Sequence, residues 1–200
     1  MIAKVPGNPA RDLGHDDIPT RILDAAARCF YRDGIWASGV DTLAAEAGVS
    51  KRTLYNHFGS KDGVIAAYLR QREEHWQAKL QAVWAEIGAD PIDQVVAYVR
   101  AYARPVQPEV FRGSAFINAA AELADEWSES LSVIQHSLDR IEAGIDTILS
   151  RAGYDDAGVL ARQALYLLEG AVAVGGARRD AGALDDAEQM IRNLLESCRP

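Results

Sequence analysis

The sequence predicts an all-α protein, and three observations carry that prediction. Apolar residues recur at spacings of three and four through most of the chain, and no stretch sustains the alternation of a strand. The apolar runs are bracketed by Ser, Asp, Gly or Pro at positions that start or stop helices. With 200 residues, 48% hydrophobic and 25% charged, the composition fits an ordinary globular chain or a small domain joined to a larger one, and there is no repeat period or low-complexity tract.

Taken in order, Asp17-Ile18-Pro19-Thr20 offers a capping acid and an early proline for a first helix. Ile22, Ala26 and Phe30 line one face of it and Asp33-Gly34 stops it. Ser38-Gly39-Val40-Asp41 starts a short second helix over Thr42–Ala47, closed by Gly48, with Asp41 favoured as its cap over a carboxylate that repels phosphate. Ser50 caps a third helix, Lys51–Phe58, and Gly59-Ser60 ends it and caps a long fourth from Lys61 to about Ile87, with Trp76, Leu80, Val83, Trp84 and Ile87 as its later stripe.

Ile92, Val95, Val96, Val99 and Tyr102 mark a fifth helix, ended by Arg104-Pro105 and a loop containing Pro108. A sixth runs from Gly113 to about Glu126 with Phe116, Ile117, Ala120 and Leu123. Leu131, Ile134, Leu138, Ile141, Ile145 and Ile148 form a long seam, and Leu160, Ala164, Leu167, Ala171 and Val174 another. The small residues Ala171, Ala173, Gly175, Gly176 and Ala177 permit close helix approach, although Gly175-Gly176 can equally end that helix. Residues 183–197 predict one last helix.

Net charge is −8, which taken whole argues against a nucleic-acid partner. The distribution reverses that inference. Residues 1–70 hold 9 Lys+Arg against 8 Asp+Glu, a net of +1, and residues 71–200 hold 12 against 21, a net of −9. Local positive charge is what a phosphate backbone senses, because screening confines each charge to roughly 8 Å.

Two short helices joined by a glycine-containing turn and packed on a longer one have the spacing of a helix-turn-helix. Leu43, Ala44, Ala47, Val49, Leu54 and Phe58 are small or apolar where the two must cross, and Lys51, Arg52, Thr53, Tyr55, Asn56, His57 and Lys61 fall on the outer side or its edge. Arg52 suits guanine and Asn56 adenine, Lys51 and Thr53 reach bases or phosphates, and Tyr55, His57 and Lys61 suit phosphates. Lys4 and Arg11 lie in a Pro/Gly-rich tail, residues 1–16, expected to be flexible.

Through Arg21-Ile22-Leu23-Asp24-Ala25-Ala26 with Phe30 and Gly34, Leu43-Ala44-Ala45-Glu46-Ala47-Gly48-Val49-Ser50, and Thr53-Leu54-Tyr55-Asn56-His57-Phe58 with Lys61, the chain resembles the DNA-binding domain of the tetracycline-repressor (TetR) family. The resemblance covers roughly residues 17–76. It implies a three-helix DNA-binding head joined by a long helix to a larger helical domain, residues 77–200, that dimerises and binds an effector. It also implies repression of a palindromic operator, relieved by a small molecule, and DNA contacts from Lys51, Arg52, Thr53, Tyr55, Asn56 and His57. The alternative is a helical protein-interaction module with a vestigial head.

Within the second domain, Tyr98, Tyr102, Phe111, Phe116, Asn118, Glu122, Trp127 and Tyr166 supply aromatic walls and polar groups for an effector pocket, with Asn118 and Glu122, four apart, as its most pocket-like pair. In the family two late helices of each subunit form the dimer interface, and the resemblance assigns this to the two long seams, with Leu138, Ile141, Ile145, Ile148, Leu160, Ala164, Leu167 and Ala171 as candidates; the alternative is a purely intramolecular core, and each stripe is expected to serve both purposes. His15, His57, His75 and His136 are not spaced as metal ligands and neither Cys29 nor Cys198 has a partner motif, so no metal and no cofactor are expected. No nucleophile elbow or phosphate loop suggests an enzyme. Without a secretory signal or a bilayer-length uncharged run, the expected location is the cytoplasm, with no membrane partner.

Overall fold

The computed structural model describes residues 17–103, 111–123 and 128–200. The tail 1–16 with Lys4, Arg11 and His15, the loop around Pro105 and Pro108, and Trp127 lie outside the described residues. Among those described there are nine helices and no strand: α1 Ile18–Asp33, α2 Val40–Ala47, α3 Lys51–Phe58, α4 Lys61–Glu86, α5 Pro91–Ala103, α6 Ala115–Glu122, α7 Glu129–Arg151, α8 Ala157–Arg178 and α9 Ala183–Ser197.

The capping chemistry explains most boundaries. Ser50 accepts from the Thr53 amide at 3.0 Å, Ser60 from Gly63 at 2.9 Å, Ser114 from Ile117 at 3.3 Å and Ser128 from Leu131 at 3.0 Å, so four helices begin at a serine oxygen. Gly48 closes α2 in the left-handed conformation (φ 64°), where Arg21 Nη2 donates to the last carbonyls, Ala47 O at 2.6 Å and Gly48 O at 3.1 Å. Asp17 precedes α1 without a side-chain cap bond, and Pro19 in the first turn supplies the pre-set φ instead.

Two expectations change. The sixth helix begins at Ala115, after its Ser114 cap, and is over by Glu122. Gly175-Gly176 do not end α8, which continues to Arg178; Gly175 is packed against Phe111 and Ala183, and Gly176 against the backbone of Arg112 and Gly113. Helix α8 reaches a mean hydropathy of 1.3 over a window long enough to span, but Arg162 and Glu169 interrupt it, so it is not an uncharged run. Its inner face is buried in the core between α7 and α9.

Two cores divide the interior. One gathers α1, α2, α3 and the first turns of α4 (Val64, Ile65, Leu69), and it is completed by Ala115, Phe116 and Ala119 of α6 and Val133 and Ile134 of α7. The other joins the far end of α4 (Leu80, Val83) to α5, the second half of α7, α8 and α9. Helix α4, about 39 Å long at 1.5 Å per residue, and helix α7 therefore run through both. An acid–base ladder ties them: buried Glu73 accepts from Arg140 at 3.0 Å, Arg70 pairs with Glu129 at 2.5 Å, and Asp62 receives the Glu129 amide at 2.9 Å and the Ser130 hydroxyl.

Candidate functional site

Helix α3 is anchored by one residue. Leu54 is fully buried, and on an eight-residue helix that turns Lys51, Arg52, Tyr55, Asn56 and His57 outward, all exposed. Of the expected contact residues these five form one solvent-facing row. Thr53 sits half-buried at its edge, with its hydroxyl 2.7 Å from that of Ser50.

Two neighbours are placed differently from expectation. Lys61 Nζ donates to Ile35 O at 2.6 Å, in the connection between α1 and α2, so it is drawn away from the row. Burial holds its ammonium below the usual range, against the opposing pull of Glu122. Asp41 does not cap α2: it accepts from Lys51 Nζ at 3.2 Å, and Gly39 precedes the helix without a side-chain cap. The first-turn amides of α2 therefore have no side-chain cap from Gly39. Trp36, 85% exposed beside this edge, is a surface aromatic that sequence reasoning did not single out.

The proposed pocket residues separate into three groups. Tyr98 and Tyr102 do come together, joined by Trp76 at ring-centroid distances of 5.8 and 5.6 Å, and Trp84 packs edge-on to Tyr98 at 5.6 Å. Phe111 belongs to the same core. Phe116, Asn118 and Glu122 instead serve the junction between the cores: Phe116 is buried against the head, Asn118 donates to Arg112 O at 2.8 Å and Glu122 accepts from the Trp36 amide at 2.6 Å. Tyr166 is 68% exposed on the outer side of α8.

Sequence reasoning missed the polar centre of the aromatic group. Tyr102 donates to Glu169 Oε1 on α8 at 3.1 Å, while Glu169 Oε2 and Trp76 Nε1 are shut off from solvent with no hydrogen-bond partner among the described residues. Burial pushes the Glu169 carboxyl up, against the Tyr102 and Ser114 hydroxyls that pull it down. Burial, reinforced by Glu169, raises the Tyr102 phenol well above its ordinary value, and burial pushes Tyr98 up to about 12. The signal was present, since Glu169 is the one charged residue between Arg162 and Arg178.

Residues 111–114 connect this cluster to the head. Arg112 donates its backbone N–H to Tyr31 Oη at 2.9 Å and its guanidinium to Tyr31 O at 2.8 Å and to Arg32 O, gripping the end of α1. Gly113 (φ 82°) passes so close to α8 that a Cβ there would stand 2.8 Å from Val172 O. A separate groove of about 700 Å³ between α4 and α7 is lined by Arg70, Glu73, Glu129, His136 and Arg140, but its arginines are already paired with its acids.

The expected dimer residues lie along the chain's own core at two depths. Ile141, Ile145, Leu160 and Ala164 are buried in the chain's own core, where α7 and α8 pack on each other, and Leu138, Ile148, Leu167 and Ala171 are half-buried against it. Beyond the head, where Ile18, Trp36 and Tyr55 are exposed, the exposed large apolar side chains among the described residues lie on α8 (Val159, Tyr166, Val174) and α9 (Met190). No His/Cys/Asp/Glu group that could hold a metal occurs among the described residues.

Residues 22–68 match the bacterial regulatory proteins of the tetR family. The whole fold is similar to a TetR-family transcriptional regulator from Streptomyces coelicolor (TM-score 0.82, 29% identity, 92% of this chain and 96% of that one). A tetR-type transcriptional regulator from Streptomyces avermitilis is also similar (TM-score 0.79, 28% identity, 92% and 98%). The HTH-type transcriptional regulator LmrA of Bacillus subtilis is 28% identical over 89 residues, 44% of this chain, and the match spans about half of LmrA (47%). The activator FasR of Mycolicibacterium smegmatis is 38% identical over 63 residues, 32% of this chain and 29% of FasR.

Proposed function

The chain belongs to the TetR family of bacterial transcriptional regulators, and from that premise we propose that it is a cytoplasmic homodimeric repressor, released from a palindromic operator when a small effector binds its second core. The observation that carries the reading is the row Lys51, Arg52, Tyr55, Asn56 and His57, exposed on a short helix whose inward side chain is buried. Such a helix presents base-reading and phosphate-binding groups together to a major groove. Lys51, held by Asp41 in the free protein, exchanges a carboxylate for a phosphate on binding.

Dimerisation uses the outer faces of α8 and α9, where Tyr166 and Val174 are exposed and Gly170 and Ala173 are small enough for close helix approach. Two copies present two α3 helices, which must stand about one helical turn, roughly 34 Å, apart on DNA. Effector release works through the shared parts: α4 and α7 enter both cores, and residues 112–114 join α8 to the end of α1. A ligand that prefers another arrangement of these elements lowers operator affinity by its differential binding to the two states.

Selection from randomised duplex DNA with the purified protein, repeated at two salt concentrations, tests the reading. An inverted repeat is expected, lost on joint Arg52→Ala and Asn56→Ala substitution. A folded dimer that enriches no sequence would favour a protein-interaction module with a vestigial head.

A further inference from the structure

The aromatic cluster of the second core encloses a carboxyl group that has no counter-charge among the described residues. Trp76 of α4, Tyr98 and Tyr102 of α5 and Glu169 of α8 come from three helices, and the ring contacts run without a break from Trp84 through Tyr98 and Trp76 to Tyr102, whose hydroxyl reaches Glu169. Where the body encloses other acids, it pairs them: Glu73 has Arg140, and Glu188 has Arg100 and Arg192. Glu169 has neither a lysine nor an arginine at ion-pair distance among the described residues, and its Oε2 has no donor. The Arg72 guanidinium, which bears on Tyr102, lies over the Tyr31 ring at 5.6 Å.

A buried carboxylate without a counter-charge is costly, whereas one with a cation and ring faces around it is not. A neutral apolar ligand would leave that cost in place, and an anion would add to it. Gly144 of α7 lets the Tyr98 ring seat against that helix, since a Cβ there would stand 2.2 Å from Tyr98 Oη. We infer that this cluster recognises an organic ammonium compound, its cationic nitrogen set against the Glu169 carboxylate and the rings of Trp76 and Tyr102. Trp76 Nε1, also without a partner, donates to an acceptor atom of the same molecule. Ser114, whose hydroxyl bears on the Glu169 carboxyl and which caps α6, carries the occupancy of the site towards the Arg112 grip on the head.

The inference rests on the regulator reading only for its consequence at DNA, and binding can be measured without DNA. The full-length protein is titrated by calorimetry and tryptophan fluorescence with choline and benzyltrimethylammonium chlorides, and with two uncharged counterparts, 3,3-dimethylbutan-1-ol and benzyl alcohol. At least one cation is expected to saturate at one molecule per chain and to bind about tenfold or more tightly than its uncharged counterpart. Glu169→Gln, which keeps the shape and removes the charge, should lower cation affinity about tenfold, with its circular dichroism unchanged. Trp76→Leu should weaken the cation several-fold, and Asp185→Asn, on the exposed first turn of α9, should leave it unchanged. Absence of saturable cation binding, uncharged compounds binding equally well, or a Glu169→Gln protein that binds as tightly as the native one would overturn the inference. An operator found by selection with no ammonium binding sinks this inference alone; ammonium binding without an operator sinks the regulator reading alone.

Discussion

The two cores keep their polar chemistry on opposite sides of the surface. The head places its row on the outside of α3, eight consecutive residues with one buried anchor, so that each group is positioned by its neighbours in sequence. The body places Glu169 and Trp76 Nε1 inside, assembled from α4, α5 and α8, residues nearly a hundred positions apart. A local site survives on helix propensity and one core contact. A non-local site depends on every helix that packs around it, and that dependence is what allows it to influence the others.

The largest effect that tests this contrast is on DNA. Replacing Arg52 and Asn56 with alanine should cost about 4 kcal/mol of specific binding, roughly a thousandfold, since each bidentate base contact contributes about 1–3 kcal/mol. Measured by anisotropy on the selected operator, it should come without loss of thermal stability. Next is Leu54→Ala, which should lower unfolding free energy by about 3 kcal/mol in urea titration. A change well under 1 kcal/mol would show that the anchor of α3 lies elsewhere, and the head would then be less local than it is described here.

Smaller is Gly48→Ala, at a left-handed position where the new Cβ would meet Arg21 Nη2 at 2.7 Å; it should cost about 1 kcal/mol or somewhat more, read as a lowered Tm. The weakest test belongs to the body. Glu188 accepts from Arg100 at 2.7 Å and from Arg192 at 3.1 Å, and the hydrogen bond from Arg100, then Arg192, holds its carboxyl below its ordinary value. Its contribution is therefore complete above the ordinary value, 4.5, and lost as pH falls through the lower folded-state value. Glu188→Gln should flatten that part of the stability–pH curve and leave the neutral-pH DNA affinity unchanged.

The same contrast explains what was legible in the sequence. Period and punctuation reveal helices one at a time, and α3 with its row is a one-helix problem, as is the Ser50 cap. Asn118 and Glu122 share a helix and invite the same inference, yet Asn118 turns back to the Arg112 carbonyl just before the helix, and Glu122 takes the Trp36 amide, reached only after the chain has folded back on the head. The seams of α7 and α8 are equally clear, but a stripe does not say how much of it the same chain covers: Ile141, Ile145, Leu160 and Ala164 are fully covered, and Leu138, Ile148, Leu167 and Ala171 only in part. Lys61 likewise follows the pattern of an outer residue until the connection between α1 and α2 offers it the Ile35 carbonyl. Glu169 carried a signal, a lone acid in an apolar run, but its aromatic surroundings come from helices far away in sequence.

At the crossing of Gly113 and Gly176, a Cβ on either residue would meet backbone: Val172 O at 2.8 Å from one side and Gly113 N at 2.4 Å from the other. In a mechanical linkage, this is a joint with no clearance. A side chain there would act as a soft washer, with rotamers that give way before the backbone does. Backbone resting on backbone has no such play, so a shift of α8 along this contact reaches residues 112–114 undamped, and the joint's tolerance is set by bond geometry instead of by side-chain freedom.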